Sequence, residues 1–511
     1  MATEKISPCN GVAGSNDKMN SKTDGKKNSP AQKSRNGLSS ASLSSSSSPP
    51  SLRKNSFFLG CLLYFLYSMS IAVDGQFLSL YYKSKGFDAT TLGFLYSLTP
   101  LTTFLTVPIW SMLTAAGDEK NGGDSNSKSN SNTKSIRRSF KILYLSVLLA
   151  TASQICLAIL DKPKYMTIII IIAGICQSPV KPMLDGIIMD NLSDRSEIGK
   201  VRFFCILGTG FGTNLGGRLL SLVTRDPNED TNDKNNFNLL FLARVILTIP
   251  PILLIRELQV IGSSRIENDD VISSNHTKRE TISDKGGQPS SIKEDPIPMH
   301  SIARSVVHYC CKDTAHLLFF ACIYVAGSSG GVSDAFSYPR YQESGCSTAH
   351  IGQSRLLSSV AGAMMFWYSG RFSKILGTHN LLVLCMTCTA SRFLLLKRMD
   401  HPSYVYLIDL FRASTYGIFW SSSTIYASQI GPPSLRPTML LILNGIYNGI
   451  GRSTGAILAG KFQALFGVNN LFLWCSRLNY ALAMAMAIIS YRNYKRGLDH
   501  ADYTREAKKA K

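Results

Sequence analysis

"FLSLYYKSKGFDATTLGFLYSL" occupies Phe77–Leu98, and 259 residues further on the chain reads "FSYPRYQESGCSTAHIGQSRLL" over Phe336–Leu357. Phe77 aligns with Phe336, Tyr82 with Tyr341, Gly86 with Gly345 and Gly93 with Gly352, while Leu92 and Ile351 match conservatively. Each copy leaves an apolar run, crosses a short polar turn holding a glycine, and enters another apolar run. A segment repeated in this form marks a duplicated structural unit.

The unit emerges from the apolar runs on either side. A membrane helix needs about 20 mostly apolar residues. Runs of that kind fall at 56–80, 90–114, 140–160, 165–190, 201–223 and 238–256, then at 314–337, 349–370, 379–397, 403–428, 437–460 and 467–492. The pattern is six spans, a polar linker and six more. Both copies of the quoted segment join the first span of a half to its second. Repeats of even span number share their orientation, so the halves are expected to relate by an axis along the membrane normal. That is the parallel repeat of the major facilitator architecture, with a site between the halves near mid-membrane. The expected fold is all-α, with twelve transmembrane helices in two pseudo-symmetric halves, 56–256 and 313–492. A linker fills 257–312, a disordered tail rich in Ser, Lys and Asn precedes the first half (1–55), and a basic tail follows (493–511).

The 511 residues are 45% hydrophobic and 17% charged, with a formal charge of +21. The basic excess sits largely in the tails and connecting segments, such as "KKNSPAQKSR" and "REAKKAK". No zinc-finger spacing or aromatic-interleaved basic patch accompanies it, so nucleic acid is not an expected partner. Lys and Arg beside apolar spans mark cytoplasmic flanks and predict both termini on that side. Most of the cysteines lie in apolar runs, where cysteine is a small hydrophobe. Cys385 and Cys388 have C-x-x-C spacing but no second ligand pair, which argues against zinc. No Walker loop, H-E-x-x-H or G-x-S-x-G signature is present, so neither an enzyme nor an ATP-driven pump is expected, and no cofactor.

Two further features concern the interior. Gly208, Gly212 and Gly216 recur every fourth residue in the fifth span, and Gly445/Gly449 and Gly451/Gly455 do so in the eleventh. Such faces let helix backbones approach closely. Charges inside spans need a partner or a purpose, because each costs at least about 2.5–3.5 kcal/mol at the bilayer centre. Lys181 and Asp185 share a face of span four between Pro179 and Gly186, as a self-neutralising pair or as cavity groups. Asp409 and Arg412 lie three apart on span ten; Arg477 reaches similar depth on span twelve; Arg452 sits on the polar "NGIYNGIGRS" stripe. Asp74 and Asp334 fall near the outer ends of spans one and seven, with a structural role favoured for Asp334 and a cap or gate open for Asp74. The candidates for substrate binding or proton coupling are thus Asp74, Lys181, Asp185, Asp409, Arg412, Arg452 and Arg477, with Asp185 first for coupling.

The stretch Phe77–Trp110 resembles the first two helices of the associated-domain branch of the major facilitator superfamily, which is similar to the lactose permease and nucleoside:proton symporters. "SPVKPMLDGIIMDNL" (178–192) resembles that branch's fourth-helix signature. "YGIFWSSSTIYASQIGPPSLRPTM" (416–439) resembles its tenth-to-eleventh junction, and "GIGRSTGAILAGKF" (449–462) its glycine-rich eleventh helix. The chain departs from the branch in "PIWSMLTAAGDEK", which delays the acid to Asp118, and in "LLSSVAGAMMFW", which has none. The resemblance implies a secondary transporter of a small polar solute working by alternating access, with protons as candidate coupling ions. A receptor or scaffold on the same fold is the alternative. The expected partners are the solute and the lipid bilayer. A monomer is expected, in the plasma membrane rather than an organelle.

Overall fold

In the computed structural model, the described residues are 50–119, 128–191, 198–223, 237–280, 308, 310, 313–430 and 435–495. Of the tails expected over 1–55 and 493–511, residues 1–49 and 496–511 lie outside them, as do residues 281–307 of the linker expected over 257–312. The first half comprises α1 (Pro50–Gly75), α2 (Leu78–Ser84), α3 (Ala89–Glu119), α4 (Lys128–Ile159), α5 (Pro163–Gln177), α6 (Val180–Asn191), α7 (Ile198–Val223) and α8 (Asn238–Glu280). The second comprises α9 (Thr314–Glu343), α10 (Thr348–Leu376), α11 (Thr378–Lys397), α12 (Tyr404–Ser414), α13 (Trp420–Ala427), α14 (Arg436–Asn444), α15 (Arg452–Phe466) and α16 (Val468–Lys495). Pairs of short helices run on into one another as single spans: α1–α2, α5–α6, α12–α13 and α14–α15. Among the described residues the helices therefore make twelve spans. The linker begins as helix, because α8 carries its backbone hydrogen bonds on from the apolar run to Glu280.

Eight of these spans are long and apolar enough to cross a membrane: 57–84, 89–110, 138–159, 163–189, 238–259, 314–343, 378–397 and 468–492. Their outer faces expose Leu145, Ile168, Leu253, Leu384, Met484 and Ile488, the surface a lipid environment requires. The remaining four are α7, α10, α12–α13 and α14–α15. Each packs on the opposite half or around the central charges described below, so glycine and polar residues replace part of the apolar surface.

The duplicated segment forms the same turn twice. Gly86 and Gly345 close it at φ 77° and 78°, a left-handed conformation that favours glycine. Gly86 N–H donates to the Lys83 carbonyl (2.9 Å) and Gly345 N–H to that of Gln342 (3.0 Å). The next helix is capped by Asp88, which accepts from Thr90 N–H (3.2 Å), and by Ser347, which accepts from His350 N–H (3.3 Å). Gly93 and Gly352 then meet the other half. A Cβ on Gly93 would lie 2.4 Å from the Ala456 carbonyl oxygen, and one on Gly352 would lie 3.1 Å from that of Asn214. Each half thus repeats the turn because each must present a bare backbone to the other.

Within the halves, Gly208, Gly212 and Gly216 seat α7 on α1, and Gly451 and Gly455 seat span eleven on α9, whereas Gly445 and Gly449 lie against the Phe104 ring of α3 across the halves. A Cβ at Gly208, Gly212 or Gly216 would fall 2.2, 2.3 or 2.1 Å from the carbonyl oxygens of Phe65, Met69 and Val73. One at Gly455 would fall 2.2 Å from that of Ser328.

The buried side chains form three groups. One is shared between the halves at the end bearing the duplicated turns, joining Phe77, Tyr81 and Leu95 to Phe336, Tyr338 and Phe472. At the opposite end each half keeps its own: Cys61, Leu63, Leu143 and Leu184 in the first, Phe319, Leu382, Met386 and Met439 in the second. There the halves touch through Phe203 and Trp367, ring centroids 6.0 Å apart, without a common core. The structure is closed at the turn end.

Candidate functional site

The second half gathers four arginines and two aspartates inside its helix bundle. Helix α9 runs unbroken to Glu343, so Asp334 lies nine residues from its end, about 13 Å along the axis. Arg412 Nη2 is 3.3 Å from Asp334 Oδ1 and Arg452 Nη2 is 3.6 Å from Oδ2, so one carboxylate serves two guanidinium groups. Both arginines adjoin π-helical segments: Arg412 precedes Thr415–Phe419 and Arg452 follows Gly445–Gly451. A π turn inserts an extra residue and re-aims the side chains beside it, and such turns recur at functional sites.

The other aspartate is fully engaged. Asp409 accepts from Ser354 Oγ (2.8 Å) and Tyr341 OH (3.1 Å), with Arg355 Nη1 at 4.0 Å. Arg355 also donates to Gln76 Oε1 of the first half (2.7 Å), to which Tyr338 OH donates as well (3.1 Å). Arg392, 5% exposed, is held by two hydroxyls, donating to Ser333 Oγ (2.9 Å) and Ser337 Oγ (3.3 Å). Its Nε has no hydrogen-bond partner. An open-sided cavity is lined by Asp334, Arg392, Arg412, Arg452, Ser333 and Tyr447, among others.

The first half neutralises its deepest charge internally. Arg244 Nη1 donates to both oxygens of Asp74 (2.9 and 3.0 Å), and the two residues are 4% and 2% exposed. A small cavity beside Arg244 is lined by Tyr67, Ser70, Gln177 and Thr248.

The candidate residues therefore divide. Asp409, Arg412 and Arg452 come together in the second half, and Asp74 is buried in the first. The placement of Asp74 and Asp334 near outer helix ends is corrected: α2 prolongs span one beyond Gly75, and α9 prolongs span seven through Pro339. The capping role left open for Asp74 gives way to a buried ion pair. The pairing of Lys181 with Asp185 is also corrected. Asp185 accepts from Tyr64 OH and faces Arg202 Nη2 at 3.8 Å, while Lys181 is exposed on α6. Arg477 likewise lies on the exposed face of α16, its guanidinium 5.8 Å from the Trp474 ring centroid. Asp334, Arg355 and Arg392 complete the cluster and were not among the site candidates. Their signal was present, since two bases and an acid within apolar runs each need a partner.

A model described as the MFS_1 like family matches residues 61–474. A stretch of 152 residues is 25% identical to "Major facilitator superfamily domain-containing protein 6-like" of Danio rerio, covering 30% of this chain and only 28% of that relative's length. In structure the chain is similar to the nucleoside transporter NupG, with a TM-score of 0.60 at 12% identity over 86% of this chain and 98% of that one. It is similar also to the inward-facing, unoccupied bacterial homolog to the human lysosomal transporter Spinster (TM-score 0.57, 14% identity, 87% and 96% covered). A POT family transporter in complex with 5-aminolevulinic acid gives 0.59 at 11% identity, with 86% and 96% covered. The six-plus-six helices, their lipid-facing apolar surfaces and a family match spanning residues 61–474 agree: this is an integral membrane protein of the major facilitator fold and belongs to the MFS_1 like family.

Proposed function

We propose that the protein is a secondary transporter that moves a small polar solute by alternating access. The observation that carries this reading is the distribution of buried side chains: one core common to both halves at the turn end, separate cores at the other. Two rigid halves joined at one end can rock about a site between them. With both termini cytoplasmic, the turn end is external and this form faces inward. The contacts that must part for it to open outward include Gln76 with Arg355 and Tyr338, and Lys83 with Glu343 (2.7 Å). Protons are the proposed coupling ions. Asp334, shared by Arg412 and Arg452, joins Asp185 as a candidate carrier, because protonating it would release two guanidinium groups together.

The test is uptake of a panel of labelled solutes into proteoliposomes holding the purified protein, with and without an inwardly acid pH gradient and its reverse. Saturable uptake of at least one solute, absent from protein-free vesicles, is expected. If no solute enters although the protein is folded and uniformly inserted, the receptor or scaffold reading replaces this one.

A further inference from the structure

We infer that the second-half cavity is a site for an organic anion, the carboxylate or phosphate group of a small solute, bound chiefly by Arg392 together with Arg412 and Arg452. The inference deepens the transport reading and rests on it for the word solute, though the site can be tested without transport. Its first support is charge. Arg355, Arg392, Arg412 and Arg452 all lie within electrostatic reach of Asp334, and the acids among them are Asp334 and Asp409. Four positive groups against two negative ones leave an excess of two positive charges in the membrane interior. Charge there is costly unless neutralised. The first half shows the ordinary solution, one arginine against one aspartate, Arg244 with Asp74.

The second support is independent of the count. Arg392 lines the cavity, is only 5% exposed, and is met by two neutral serine hydroxyls. Among the described residues no carboxylate lies within 4.0 Å of it, and its Nε has no acceptor. A guanidinium has five donors in a planar fork suited to a two-oxygen anion. The missing acceptor is the one a carboxylate or phosphate supplies. Arg412 and Arg452, both committed to Asp334, add field and further donors from the opposite wall. Ser329, Ser333 and Thr415 in the same lining offer hydroxyls to the remainder of the solute. A neutral sugar or nucleoside would leave the excess charge uncompensated; a monoanion halves it and a dianion removes it.

The experiment uses the full chain purified in detergent. Its thermal midpoint is followed while succinate, inorganic phosphate or the neutral isostere succinamide is titrated at constant ionic strength. Ligand binding to the folded state raises the midpoint with the logarithm of one plus the ratio of ligand concentration to Kd. The expected result is a rise with succinate or phosphate that grows with the logarithm of concentration above Kd, and none with succinamide. In Arg392→Gln the apparent affinity should fall at least tenfold, and in Arg392→Lys, which keeps the charge but loses the fork, by less. Equal responses to succinate, phosphate and succinamide in the wild-type protein overturn the proposal without any mutant. So does an unchanged anion affinity in a folded Arg392→Gln protein. The proteoliposome panel separates the two readings. Anion binding lost in Arg392→Gln without uptake of any solute keeps the site and removes the transporter. Uptake of a neutral solute that no anion inhibits keeps the transporter and removes the site.

Discussion

Two aspartates within the spans, Asp74 buried and Asp334 lining a cavity, meet arginine in opposite ways. Asp74 has Arg244 to itself, whereas Asp334 is divided between Arg412 and Arg452. Removing one member of a closed buried pair strands the other, at a cost of about 3–5 kcal/mol, while removing both charges can be nearly neutral. Arg244→Leu is therefore expected to lower the thermal midpoint severely, and Asp74→Asn combined with Arg244→Gln to recover most of the loss. A fluorescence-detected melt of the three proteins decides it. Equal melts for wild type and Arg244→Leu would show that the pair carries no stability. At the surface, Asp88 caps α3, and the hydrogen bond from the Thr91 hydroxyl holds its carboxyl below the usual value. A lowered value means the contribution is complete above about pH 4 and fades as the pH falls through it. Asp88→Ala should cost about 1 kcal/mol at neutral pH, and the gap from wild type should narrow below about pH 4. A gap independent of pH would exclude the ionised cap. The need of these charges for partners was legible in their positions within apolar runs. Which partner each took was not, because i, i+4 spacing puts Lys181 beside Asp185 while Arg202, from the next helix, arrives at 3.8 Å.

At the scale of elements, glycine sets which helices touch. The every-fourth-residue spacing on α7 was readable from the chain, and it seats that helix on the carbonyl oxygens of α1. Alanine favours a helix over glycine by about 1 kcal/mol when nothing stands in its way. Gly212→Ala must instead place a Cβ 2.3 Å from the Met69 oxygen, which backbone atoms cannot yield without parting the helices. The expected outcome is a lower midpoint for Gly212→Ala and an unchanged or higher one for Gly370→Ala, where nothing lies within 4 Å. If both variants melt alike, close helix approach is not what selects glycine on α7. The π segments before Arg452 and after Arg412 escaped a reading by helical period. A π turn is one residue of slip produced by packing against neighbours, and no local pattern announces it. The helix ends of α2 and α9 escaped for a related reason: Tyr338, Pro339 and Tyr341 look like a terminus in sequence, yet all three are buried, Tyr338 against Phe77 and Gln76 of the other half and Tyr341 against Asp409 of its own.

For the whole molecule, the decisive contrast is between its two ends. A common core and the bridge from Lys83 to Glu343 hold the turn end shut. Alternating access requires that end to open, so a covalent tie across it should stop transport. Lys83→Cys with Glu343→Cys, joined by a short thiol crosslinker in a background lacking native cysteines, is expected to abolish uptake, and a cleavable linker to restore it on reduction. Undiminished uptake by the crosslinked protein would show that the turn end need not part.

The sequence by itself determined the membrane class, the six-plus-six count and the duplication. Those follow from hydropathy over about 20 residues and from a turn whose glycine conformation is purely local, at Gly86 and Gly345. It also named three of the six charged residues of the second-half cluster, Asp409, Arg412 and Arg452. Tertiary structure alone decided their grouping. Arg477 and Arg412 reach similar depth, but helix rotation turns Arg477 outward over Trp474 and Arg412 inward to Asp334. Depth is a property of position along one helix. Facing is fixed by the neighbours against which that helix packs, and those neighbours come from distant parts of the chain.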